Sequence, residues 1–211
     1  SNKTKESSSP LDIFESLKDI PIKSIQLKES VLDINGHEVF VKKIKLKNKK
    51  QSLRLEGNIG RINLSKTIKK DKKIDEINLD IQLNRRKLKI NKLVAKSKLI
   101  FLELKGNVEN YVSKNFEMNL SYKGEFPLKE IHEWLEFRNI GQLYSGQVEV
   151  KGKLKGNKDD FLSSNDLQAS VFKTDLVYDQ TATANVTVSK KAIFFNKLKI
   201  KHKEQSLELL R

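Results

Sequence analysis

The chain has 211 residues, 33% of them charged, and a formal net charge of +15. It has no cysteine, which excludes disulfides, thiolate zinc sites and cysteine nucleophiles. No uninterrupted apolar run reaches the roughly 18 residues of a membrane-spanning helix, and no signal peptide is visible.

Hydrophobic residues make up 37%, modest for a full core but sufficient for a sheet that is apolar on one side only. With three prolines and nine glycines, disorder is not expected over most of the chain. The chain begins Ser-Asn and stops at Arg211 inside a repeat, which reads as a piece of a longer protein.

Ser1–Ser9 is polar. Pro10, followed by Leu11, Phe14 and Leu17, predicts a short amphipathic helix that Ile20-Pro21-Ile22 ends. Ile25 and Leu27 open the first strand, and Asn35-Gly36 is a strong hairpin signal leading into a return strand at Glu38–Val41.

Val39–Gly57 then introduces a repeat. It recurs at Leu88–Gly106 with an offset of 49 residues and at Ile193–Arg211 with an offset of 154. Lys50-Gln51-Ser52-Leu53 returns as Glu204-Gln205-Ser206-Leu207, and Leu-x-Gly-Asn recurs at Leu55–Asn58, Leu104–Asn107 and Leu154–Asn157. A period near 50 residues marks a repeat architecture. Within the copies apolar residues alternate with lysine, as at Lys43–Lys47 and Lys197–Lys201. A period of two puts the apolar side chains on one face of a strand and the lysines on the other. Each copy therefore reads as strand, lysine-rich turn and strand: a hairpin with one apolar and one cationic face.

Between the copies, Ile59, Ile62 and Leu64 predict a weaker strand, Lys66–Asp75 a charged loop, and Ile77, Leu79, Ile81 and Leu83 the cleanest alternation. Asn84–Lys87 is a turn. Phe116, Met118, Leu120 and Tyr122 predict a further strand, which Gly124 is expected to end. Phe126-Pro127 reads as the start of a second helix, with Leu128, Ile131, Trp134 and Leu135 on one face, serving as a packing element, a lid or a partner-binding helix. Asn139–Gly146 reads as loop, Val148, Val150 and Leu154 as strand, and Lys158–Asn165 as polar loop. Leu167, Ala169 and Val171 are strand-like, and Thr181–Val188 is β-prone.

The fold class expected is mainly β: a repeated antiparallel meander curling into a twisted open groove, with two short amphipathic helices between or capping its modules. The divisions are 1–22 (tail and short helix), 23–125 (β-groove module), 126–145 (helical connector) and 146–211 (second, incomplete module). No catalytic constellation is present. His37, His132 and His202 are far apart, and His132-Glu133 lacks the second histidine of a zincin motif. The chain reads as a non-enzyme without metal or cofactor.

The lysines are either a solvated face that protects sheet edges or a surface for anionic headgroups or nucleic acid. Against nucleic acid, lysine outnumbers arginine and aromatics do not interleave with the basic positions. The apolar faces either seal as a dry sandwich or line an open trough. The lining positions for a trough are Ile25, Leu27, Val39, Val41, Ile44, Leu46, Ile77, Leu79, Ile81, Leu83, Leu88, Ile90, Phe116, Met118, Leu120, Phe195, Leu198 and Ile200.

Ile20-Pro21-Ile22, Ile25, Leu27, Val31-Leu32-Asp33-Ile34-Asn35-Gly36, Val39, Val41, Ile44, Leu46 and Leu53-Arg54-Leu55-Glu56-Gly57 together resemble the repeating unit of AsmA and TamB proteins. Gly146–Gly156 is similar in style, and the resemblance covers about residues 20–211. It implies a bridge-like lipid-transfer protein of a Gram-negative envelope: a β-groove in the periplasm carrying phospholipid or another acyl lipid and supporting outer-membrane biogenesis. It also implies a parent protein anchored in the inner membrane and an Omp85-type outer-membrane barrel as partner. The chain departs from the family in its abundance of lysine, which fits a member favouring acidic lipid. Two other functions remain open: a structural β-scaffold for protein interaction, and a basic module binding acidic polymer.

Overall fold

The computed structural model describes residues 23–34, 37–49, 52–63, 73–97, 100–111, 113, 115–127, 145–173 and 180–210. They form strands and turns. The strands are β1 (Ser24–Ile34), β2 (His37–Lys49), β3 (Ser52–Asn63), β4 (Lys73–Ile74), β5 (Glu76–Leu83), β6 (Lys87–Lys96), β7 (Phe101–Glu109), β8 (Glu117–Pro127), β9 (Ser145–Gly156), β10 (Phe161–Lys173), β11 (Gln180–Ser189), β12 (Ile193–His202) and β13 (Gln205–Leu210). They make an open, unclosed antiparallel sheet in which strands follow one another in chain order, with the two-residue β4 pairing β3 beside β5.

The repeat copies are the hairpins β2–β3, β6–β7 and β12–β13. Three of the described turns share one construction, a two-residue loop closed by a backbone N–H···O=C bond from Asn84 to Lys87, Asn157 to Asp160 and Ser189 to Ala192, and the same bond runs from Ser97 to Ile100. In each, the first residue's side-chain oxygen accepts from a backbone N–H inside or just after the loop. Short polar side chains stabilise tight turns in this way.

The chain divides into two compact units: residues 1–93 with 105–118, and residues 94–104 with 119–211. In the first, apolar residues are aligned in rows that cross the strands. Ile25, Leu46, Leu55 and Ile81 are successive partners, as are Leu32, Val39, Ile62 and Ile74. Between these rows the alternation skips one residue on every strand: at Lys28–Glu29, Lys42–Lys43, Gly60–Arg61 and Asp75–Glu76. The pairing shifts on either side of Val41, and Glu29 has a positive φ of 43°. These aligned bulges keep Val39 and Val41 on the face of Ile44 and Leu46, although their parity differs. Gly57 lies at this crease, where a Cβ would come within 2.6 Å of the Lys43 carbonyl oxygen.

In the second unit the rows run Val150, Leu167, Ala184, Leu198, Leu209 and Val148, Ala169, Ala182, Ile200, Leu207. A shift between Asn185 and Val186 brings Phe195 and Ile193 onto the same face. Asn196 donates to Asn185 Oδ1 at 2.7 Å and to Thr187 Oγ1 at 2.8 Å at this irregularity.

The structure corrects several expectations. Gly124 does not end the sheet; it lies inside β8, where a Cβ would meet the Phe126 ring at 2.4 Å and Val150 Cγ1 at 3.1 Å. Phe126 and Pro127 are the last residues of β8, not the start of a helix, and proline is tolerated at a strand end. Phe161–Asn165 is not loop but the start of β10, because its polar side chains are hydrogen-bonded inside the unit. The predicted helix following Pro10 and the remainder of the second helix lie outside the described residues, as do residues 66–72 of the charged loop, whereas Lys73 and Ile74, also read as loop, form β4. Asp75 stands between β4 and β5.

Candidate functional site

The apolar face is the candidate site, and each unit presents it separately. Val39, Val41, Leu53, Ile90, Val94 and Val186 are the buried hydrophobic residues among those described, with Val41 fully enclosed. Around them the face is half-exposed: Ile25 is 47% accessible and Phe195 58%. Ile25 lies on the edge strand β1 and Phe195 next to the edge strand β13, whereas Leu55, Leu79 and Ile81 within the sheet are of intermediate exposure.

In the first unit, Ile25, Leu27, Val39, Val41, Ile44, Leu46, Ile77, Leu79, Ile81 and Leu83 fall on one face by strand register. Leu88 and Ile90 alternate along β6 with Val94. Phe116 stands directly before β8, and Met118 and Leu120 alternate along it. In the second unit Phe195, Leu198 and Ile200 share a face only because of the bulge. The register adds Leu53, Leu55, Ile59 and Ile62 on β3 and Leu207 and Leu209 on β13. Their alternation was visible in the sequence, but the side they face depends on the bulges.

One part of this face is polar, and alternation alone did not reveal it. Tyr122 on β8 reaches over Gly152 on β9 to β10. Its hydroxyl donates to Asn165 Oδ1 and lies 2.7 Å from Ser163 Oγ. Asn165 Nδ2 donates to Ser163 Oγ at 3.1 Å and to the Val186 carbonyl at 3.2 Å. Ser163 and Asn165 are both buried. Gly152 leaves the room, since a Cβ there would approach the Tyr122 ring and hydroxyl to 2.6 Å. The signal in the sequence was a strand-length run with polar residues at its inward positions, which resembles loop composition.

The opposite face of the first unit carries a charge ladder. Lys47 Nζ meets Glu56 Oε2 at 2.6 Å, and Arg54 Nε meets Glu56 Oε1 at 2.8 Å. Arg54 grips Asp80 with two hydrogen bonds of 3.0 and 2.8 Å, and Asn91 adds a third at 3.3 Å. The hydrogen bond from Arg54 holds the Asp80 carboxyl below the usual range, and that from Lys47 does the same for Glu56. Asp80 in turn raises the Arg54 guanidinium. Among the described residues no three histidine, aspartate or glutamate side chains cluster as a metal site would require.

Comparison with protein-family models, curated proteins and solved structures finds no match to this chain.

Proposed function

We propose that the chain carries acyl lipid, phospholipid above all, along its apolar β-face, with the sheet curling into an open groove. The observation that carries this reading is the register. Rows such as Ile25, Leu46, Leu55 and Ile81 hold one face apolar across successive strands while its side chains stay partly accessible. Each methylene moved into water costs about 0.8 kcal/mol, so a two-chain lipid with about 30 methylenes faces a barrier on the order of 20 kcal/mol. An apolar surface removes most of that cost while the headgroup stays wet.

The resemblance to AsmA and TamB repeats extends the proposal. The parent protein is anchored in the inner membrane, the groove lies in the periplasm of a Gram-negative envelope, and the lipid serves outer-membrane biogenesis beside an Omp85-type barrel. The chain does this without catalysis or a cofactor.

Replacing Leu79 with Asp or Ile81 with Arg tests the reading, because both lie mid-strand on the apolar face. Uptake of a fluorescent phospholipid is expected to fall at least about tenfold, since a charge on the acyl path costs more than 1.4 kcal/mol. Far-ultraviolet circular dichroism should stay sheet-like. Undiminished uptake by both folded variants would refute carriage on this face.

A further inference from the structure

The face opposite the proposed lipid path contains lysines that the charge ladder does not neutralise. Lys28 on β1 is the direct cross-strand partner of Lys43 on β2, and Lys45 follows two residues along. Like charges placed opposite each other oppose strand pairing. Among the described residues these three ammonium groups have no ion-pair partner. Glu56, the cross-strand partner of Lys45, is occupied by Lys47 and Arg54. Glu29 stands in the crease next to Lys28, with a positive φ of 43°.

We infer that Lys28, Lys43 and Lys45 form a docking surface for an anionic lipid bilayer, separate from the apolar face and independent of lipid carriage. The arrangement favours a membrane plane over one chelated phosphate. In regular pairing, side chains on adjacent strands stand about 4.8 Å apart and those two residues apart on a strand about 7 Å. Such an array does not converge on a single oxyanion, and the neighbouring backbone N–H groups are engaged in strand pairing. It matches many separate negative groups on a surface. Lysine is a compact hydrated point charge without the fork of arginine, which suits diffuse headgroup attraction more than recognition of bases.

Vesicle co-sedimentation with the whole chain tests this, using phosphatidylcholine alone and phosphatidylcholine with phosphatidylglycerol. Binding is expected only with the anionic lipid and should weaken as salt rises. The combined variant Lys28→Gln, Lys43→Gln, Lys45→Gln should lose affinity on the order of 100-fold. A control with the same charge change at turn and loop positions, Lys158→Gln, Lys191→Gln, Lys203→Gln, should lose about threefold or less. Lys28→Glu supplies a second readout: it turns the opposed pair into an attractive one, so the thermal midpoint should rise while vesicle binding falls. Equal losses in the two triple variants, equal binding to neutral vesicles, or displacement from anionic vesicles by a single-stranded oligonucleotide at matched charge would each overturn the inference.

Discussion

Tyr122 shows how one side chain can reconcile a polar sequence with an inward-facing position. Its hydroxyl joins Ser163 and Asn165 on a strand two places away, and Gly152 makes the crossing sterically open. Removing the hydroxyl leaves a buried amide oxygen short of its donor, which costs about 1–3 kcal/mol. Tyr122→Phe should therefore lower the urea midpoint by that equivalent, and Gly152→Ala should do so as well by displacing the ring. Asp80 makes a different prediction. Its folded pKa lies below the unfolded value of about 3.9, so its contribution is present above that pH and lost as pH falls through the folded pKa. Between pH 5 and pH 3 the wild type should lose more stability than Asp80→Asn, measured by urea unfolding at each pH. Identical acid sensitivity would show that the Arg54 grip contributes nothing.

At the scale of elements, turns and bulges decide which face an alternating strand presents. Gly156 has φ +113°, and a Cβ there would fall 2.2 Å from the Asp160 carbonyl oxygen. Gly156→Ala should cost about 1–3 kcal/mol and disturb the turn between β9 and β10, read as lost amide protection around Asn157. The hairpins of the repeat, the strand Glu76–Leu83 and the turn at Asn84 were legible from period and turn chemistry alone. The crease was not. A bulge is one extra residue in a pairing ladder, so it appears only when two strands are aligned, as with Lys42–Lys43 against the pairing of Val41 and Ile59. Phe161–Asn165 was misread because Ser163 and Asn165 have loop-like chemistry, and their partner Tyr122 is about 40 residues away. Gly124 was misread as a breaker because glycine in a strand also serves close packing, in this case of Phe126 and Val150. For the candidate site, period two identified the lining residue types, whereas the common face of Phe195 and Leu198 required the register.

Taken as a whole, the chain combines a net charge of +15 with a sheet whose apolar side chains remain partly accessible. In the reading proposed above, the apolar face serves acyl chains and the lysines of the opposite face serve an anionic surface. Lipid carriage is the claim on which the functional reading depends. The measurement that tests it most directly is native mass spectrometry of the purified chain combined with organic extraction. Co-purifying phospholipid or fatty acid is expected, together with its loss from Leu79→Asp. A lipid-free protein that also takes up no fluorescent phospholipid would contradict the reading and favour a dry β-scaffold.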